Sequence, residues 1–182
     1  IGLHQRDNNR LIETLKRLKG LGNTVIVVEH DRDMITAADY IFDFGPGAGE
    51  TGGEIIAKGS LSELMKNSKS ITGQYLTGKK VVRVENLELS KNNRNSNTQN
   101  SALNSQNLLT ILGAKQNNLK NINVELPLGK FICITGVSGS GKSTLVDEIL
   151  YKALAARFWR SKEKPGDHDG LLGVENIDKV VL

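Results

Sequence analysis

Apolar residues recur at three- and four-residue steps at Leu11, Ile12, Leu15, Leu18 and Leu21. This predicts an amphipathic helix over 7–21, with Asp7 as a candidate N-cap and Gly22 after the last turn. The β-branched run over 24–28 follows without a polar break, the pattern of a strand buried on both faces of a parallel sheet. His30 stands just past its C-terminal end. A short helix over 31–38, a strand over 40–44, a glycine-rich turn over 45–49 and a strand near 54–57 come next. Ser60 and Glu63 have the spacing of a capping box for a small helix ending near Lys66.

The periodicity then stops. Between Ser90 and Asn107, thirteen of eighteen residues are Asn, Ser or Gln, too polar to offset the entropy of ordering, so 81–107 reads as a flexible linker. Strand patterns resume over 108–112, 122–126 and 131–135, with an Asn-rich turn and a Pro127/Gly129 turn between them. A helix over 142–158 aligns Leu145, Ile149, Leu150 and Leu154 on one face. Residues 161–173 are turn-rich, and 178–182 read as a strand. Strands alternating with helices make the chain α/β.

Composition narrows the function little. The 182 residues carry 24 Lys plus Arg against 20 Asp plus Glu, a net charge of +4 that permits a phosphate-bearing partner without establishing nucleic-acid binding. Cys133 is the only cysteine, which excludes an internal disulfide framework and a cysteine-pair zinc site. Between Ile132 and Ile134 it reads as an inert core thiol. No apolar run approaches the ~20 residues that span a bilayer. The chain reads as soluble and cytoplasmic. Beginning at Ile1 and ending at Leu182 inside a strand pattern, it also reads as an excised fragment.

The strongest chemical motif is GVSGSGKST, 136–144, which fits G-x-x-x-x-G-K-[ST] between a strand and a helix. Gly136, Val137, Ser138, Gly139, Ser140 and Gly141 let the backbone wrap closely round phosphates at a positive helix end. Lys142 would reach the β- and γ-phosphates, Ser143 would ligate magnesium, and Thr144 would be a further phosphate donor, so ATP and Mg2+ are the expected cofactors. Gly45, Gly47, Gly49, Gly52 and Gly53 have no lysine at P-loop spacing and read as a turn. Asn117, Asn118 and Asn121 read as turn formers. Lys79, Lys80, Arg157 and Arg160 read as solvated cations, Trp159 as packing, and His168 as a loop residue without a metal partner.

TVIVVEHD, 24–31, resembles the switch-histidine region of the ATP-binding-cassette superfamily, which implies that His30 is a catalytic residue contacting the γ-phosphate. In that superfamily the P-loop precedes the histidine, whereas here it follows across the linker. The resemblance therefore implies a P-loop NTPase fold with parts of two cassettes. Residues 1–80 would end the first cassette, 81–107 link them, 108–160 begin the second, and 161–182 lead to its Q-loop and signature domain. His30 and Lys142 would then serve different ATP sites.

Longer stretches are similar to the UvrA family, ATP-binding subunits of the bacterial excinuclease. They are IGLHQRD (1–7), GNTVIVVEH (22–30), ADY (38–40), DFGPGAG (43–49), TGQYL (72–76), NNLKN (117–121) and the P-loop. His4 stands near where transporter ATPases carry Asp in their D-loop, which favours this family over the transporters. The resemblance implies a DNA-damage-recognition ATPase of nucleotide excision repair and the SOS response, dimeric, loading UvrB onto damaged double-stranded DNA without a membrane partner. It implies zinc in the family but no zinc site in this stretch. The Walker B and signature motifs fall outside the chain, so the fragment alone is expected to bind nucleotide without turnover. A membrane-transporter ATPase and a nucleotide-binding module without turnover stay open as alternatives.

Overall fold

The computed structural model describes residues 5–78 and 107–182. Most of the linker expectation (81–106), the D-loop expectation at 1–4, and Lys79 and Lys80 lie outside the described residues.

Helix α1 (Gln5–Gly20), which carries Asp7 inside its first turn and not at the N-cap expected of it, and strand β1 (Val25–Val28) come first among the described residues. Helix α2 (Arg32–Ala37) starts where the Asp31 carboxylate accepts from the amides of Asp33 and Met34, satisfying donors that a helix N-terminus leaves unpaired. Strands β2 (Tyr40–Gly45) and β3 (Glu54–Gly59) follow, then α3 (Leu61–Lys66) and α4 (Ile71–Leu76). Glu63 accepts from the Ser60 amide at 2.7 Å, closing the predicted capping box. Beyond the linker come β4 (Leu108–Ala114), β5 (Ile122–Pro127) and β6 (Phe131–Gly136). A π-helical stretch (Thr144–Tyr151) runs into α5 (Lys152–Trp159), and β7 (Gly170–Leu172) is the last strand.

One sheet has the order β1-β6-β2-β3, with β6 parallel to both β1 and β2 and with β2 antiparallel to β3. The other, β5-β4-β7, is antiparallel throughout. Residues 25–59 and 108–136 do not form separate sheets, because β6 from the second stretch lies between two strands of the first. Val25 pairs with Phe131 and Val28 with Ile134 on one side, and Tyr40 pairs with Ile132 and Phe44 with Gly136 on the other. Asp39 adds to the junction by accepting from the Phe131 amide at 2.8 Å while its own amide donates to the Phe131 carbonyl at 2.8 Å.

Strand alternation divides the core. Phe42, Phe44, Ile132 and Ile134 point toward the antiparallel sheet and the long helix. There they bury Leu109, Ile111, Val124, Leu126, Leu145 and Ile149. On the opposite face Ile41, Ala57 and Cys133 pack with Ile35 and Leu64. The Cys133 thiol is pushed up to about 12, chiefly by burial, in keeping with a core role.

Three elements depart from the sequence expectation. Strand β1 is half-buried rather than buried on both faces, because it is the edge of the sheet among the described residues. Residues 178–182 form no strand, and Val181 and Leu182 are exposed without a neighbouring strand to pair with. The helix after the P-loop is π-wound in its first half. The Glu148 carbonyl accepts from the Gly166 amide at 2.8 Å, while the Lys152 amide bonds Ile149 instead. Helix α4 and strand β7 have no counterpart in the periodicity. No described helix is long and apolar enough to cross a membrane.

Because Ile134 is fully buried in the strand that joins the two segments, Ile134→Ala should cost about 2–5 kcal/mol of unfolding free energy. Urea denaturation should show it as a lower midpoint in one shared transition of both segments.

Candidate nucleotide-binding site

Parallel pairing places the C-terminal ends of β1, β6 and β2 along one sheet edge, where α/β proteins hold ligands. His30 follows β1, Gly136 ends β6, and Gly45 ends β2. The loop over 136–141 crosses this edge and enters the helix, and the Leu145 amide bonds the Gly141 carbonyl at 3.0 Å. Gly136, at φ 124°, lies so close to β2 that a Cβ would overlap the Phe44 carbonyl oxygen. Gly141, at φ 103°, would bring a Cβ to 2.8 Å from Leu119 Cδ2. These contacts hold the loop at a curvature that only glycine permits at those two points.

Lys142 is only 6% exposed, and its Nζ donates to the carbonyls of Gly136 and Val137 at 2.9 and 2.8 Å. The ammonium therefore lies inside the loop it belongs to. Burial lowers the Lys142 pKa, opposed by the negative charge of Asp43. Val137, Ser138, Gly139 and Ser143 are exposed, Thr144 is half-buried, and Ser140 is buried with its Oγ lacking a hydrogen-bond partner. A loop curved by glycine, a lysine turned inward and a serine hydroxyl on the first helical turn fit ATP with magnesium.

His30 comes close enough to Lys142 for its ionisation to respond. Burial first, and the Lys142 charge second, lower the His30 pKa below its ordinary 6.5, with Glu29 working against them. The shift favours the neutral imidazole, which can accept a hydrogen bond at one nitrogen while donating from the other. His30, Gly136 and Val137 line the same cavity at this sheet edge. The reason is topological, since β1 and β6 are adjacent parallel strands.

A cavity of about 350 Å³ opens beside the loop between His30, Asp43, Tyr75, Gly136 and Val137. Asp43 is 3% exposed and accepts from Ser70 Oγ at 2.5 Å and Thr72 Oγ1 at 2.8 Å, fastening α4 to β2 below the cavity. Its signal in the sequence is a single acidic residue inside the apolar run YIFDFG, which periodicity alone does not mark as functional. The Asn turn does more than reverse the chain. Asn117 and Asn121 adopt φ of 55°, as turn formers do, but Asn118 Nδ2 also donates to the carbonyls of Gly49 and Gly139, each at 3.0 Å. The 45–53 turn likewise packs on the P-loop, where the Gly53 amide donates to the Ser140 carbonyl at 3.0 Å. Arg157 and Arg160 are exposed, and Trp159 meets Tyr151 edge-on at 6.3 Å. His168 Nδ1 lies 2.8 Å from the Gly166 carbonyl. Among the described residues, no group of three or more His, Cys, Asp or Glu side chains is placed to hold a metal ion.

No family model matches the chain. Two curated relatives align with it along its whole length at 58% identity, the UvrABC system protein A of Clostridium acetobutylicum and that of Clostridium tetani. The chain belongs to the UvrA family. The same protein of Halalkalibacterium halodurans is 54% identical over 181 residues. The chain spans 18% of the length of each of these relatives. The crystal structure of UvrA2 from Deinococcus radiodurans is 41% identical, with a TM-score of 0.43 over 86% of this UvrA-family chain and 17% of the other.

The direction of the His30 shift leads to a test. By NMR titration the His30 ring should protonate with a midpoint below 6.5. Lys142→Met should move that midpoint upward, because a positive neighbour is lost while the ring stays in place. An unmoved midpoint would separate the two side chains.

Proposed function

We propose that this chain is part of a DNA-damage-recognition ATPase of nucleotide excision repair, and that it supplies an ATP-Mg2+ site at the P-loop. The observation that carries the reading is the P-loop itself, with Lys142 held inside the glycine curve at the edge where β1, β6 and β2 end. The 58% identity to UvrABC system protein A supports the repair setting.

Bound there, ATP with magnesium would supply a polarised terminal phosphate open to attack by water. The backbone of 136–141 would cradle the β-phosphate, with Lys142 turning from its two carbonyls toward the β- and γ-oxygens. Ser143 would provide a hydroxyl to magnesium and Thr144 another to phosphate. His30 would hydrogen-bond the γ-phosphate region held by its own cassette's P-loop and report whether it is occupied.

Residues 1–80 and 108–160 are, on this reading, complementary halves of one cassette plan taken from two successive cassettes. Each half therefore finds in the other the strands that its own cassette would contribute, and in the complete protein each P-loop would work with its own cassette's switch histidine. ATP binding would draw cassettes together and hydrolysis would release them, changing affinity for damaged double-stranded DNA and for UvrB in a cytoplasmic dimer. Zinc, if the complete protein carries it, would sit outside this stretch.

The test is ATP turnover by the complete protein with no DNA, with undamaged duplex and with ultraviolet-irradiated duplex. Damaged duplex should change the rate differently from undamaged duplex. Lys142→Ala should weaken Mg-ATP binding at this site by at least about tenfold, since a charge-assisted hydrogen bond contributes about 1.5–3 kcal/mol. A robust rate indifferent to both duplexes would overturn the repair reading, and full affinity in Lys142→Ala would overturn the site.

A further inference from the structure

The turn between β4 and β5 grips the P-loop at three separate points. Asn117 Nδ2 donates to Thr144 Oγ1 at 3.2 Å, on the first turn of the helix. Asn118 Nδ2 donates to the Gly139 carbonyl in the middle of the loop. Leu119, 4% exposed, packs under Gly141, leaving no space there for a Cβ. These contacts all lie within one segment of the chain, so they do not depend on what the other segment supplies.

The 45–53 turn pulls in the same direction. The Gly139 carbonyl also accepts from the Gly49 amide at 3.0 Å, and the Ser140 carbonyl accepts from the Gly53 amide. In a planar trans peptide the N–H points away from the preceding carbonyl. Tying the Ser140 carbonyl outward therefore turns the Gly141 amide toward the concave side of the loop, where a phosphate would sit. The Ser140 amide closes a turn on the Val137 carbonyl at 3.2 Å, and the Gly139 carbonyl fixes that turn against its neighbours. Asn118 spans both loops, donating to Gly49 and Gly139 from a single amide nitrogen.

We propose that Asn118 is a positioning residue for the phosphate cradle, acting through the Gly139 carbonyl and the Gly49 turn that it ties to it rather than by touching nucleotide. The inference rests on the P-loop reading above. It commits Asn118 to the part of the loop that serves ADP and ATP alike, and not to the γ-phosphate.

The test uses the complete protein and measures equilibrium affinity for Mg-ADP and Mg-ATP together with the melting temperature without nucleotide. The variants are Asn118→Ala, Asn118→Asp and Lys142→Ala. Asn118→Asp keeps the side-chain size but turns an oxygen toward two carbonyl oxygens. Both Asn118 variants should lose affinity for ADP and ATP by the same factor, about fivefold or more for lost hydrogen bonds, with the nucleotide-free melting temperature close to that of the parent. Parent-like affinity in Asn118→Asp overturns the inference. So does a lowered melting temperature with affinity unchanged in the folded fraction, which would make the residue structural only. Absence of binding in the unsubstituted protein, or full binding in Lys142→Ala, would instead overturn the P-loop reading on which the inference depends.

Discussion

Strand β6 is buried at every position, and it can be so only with a parallel partner on each side. Parallel ladders expose no favourable face to water, so a single strand of this kind has no stable existence alone. Its neighbours β1 and β2 come from residues 25–45, far earlier in the chain, and the loop that follows β6 inherits its position from them. The phosphate cradle, the lysine inside it and the nearby histidine are therefore consequences of one pairing. Asp39 reinforces that pairing at the start of β6, where its backbone and carboxylate both bond Phe131.

The site is electrostatically incomplete in an informative way. Its cation, Lys142, is partly desolvated and satisfied by its own loop's carbonyls, with Asp43 as the opposing charge that raises its pKa. A side chain held by neutral acceptors is free to exchange them for the stronger acceptors of a phosphate. Asp43 meanwhile has both carboxylate oxygens engaged by Ser70 and Thr72, which keeps it a structural anion fixed to α4.

Much of this was legible in residue patterns because local rules decided it. The Ser60–Glu63 box, the alternation around Cys133 and the P-loop each depend on a few neighbouring residues. What escaped depended on distant partners. Strand β7 is short and exists because β4 offers it an edge. Helix α4 is anchored by Asp43, 27 residues before Ser70. The grip of Asn118 on Gly139 needs two turns brought together by tertiary packing, and no spacing along the chain encodes it. The adjacency of β1 and β6 escaped for the same reason, because both strands carry apolar runs that fit equally well into two separate sheets.

The order of strands in the central sheet has one more consequence. The strand carrying the phosphate loop comes last in the chain among the four, yet it sits second across the sheet, with earlier strands on both flanks. Such an arrangement has the connectivity of a circular permutation, in which the piece that would open a nucleotide-binding core has been moved behind the piece that closes it. In this chain by itself the last-made strand has to insert between two already synthesised, so the sheet closes by intercalation rather than by growth from one edge.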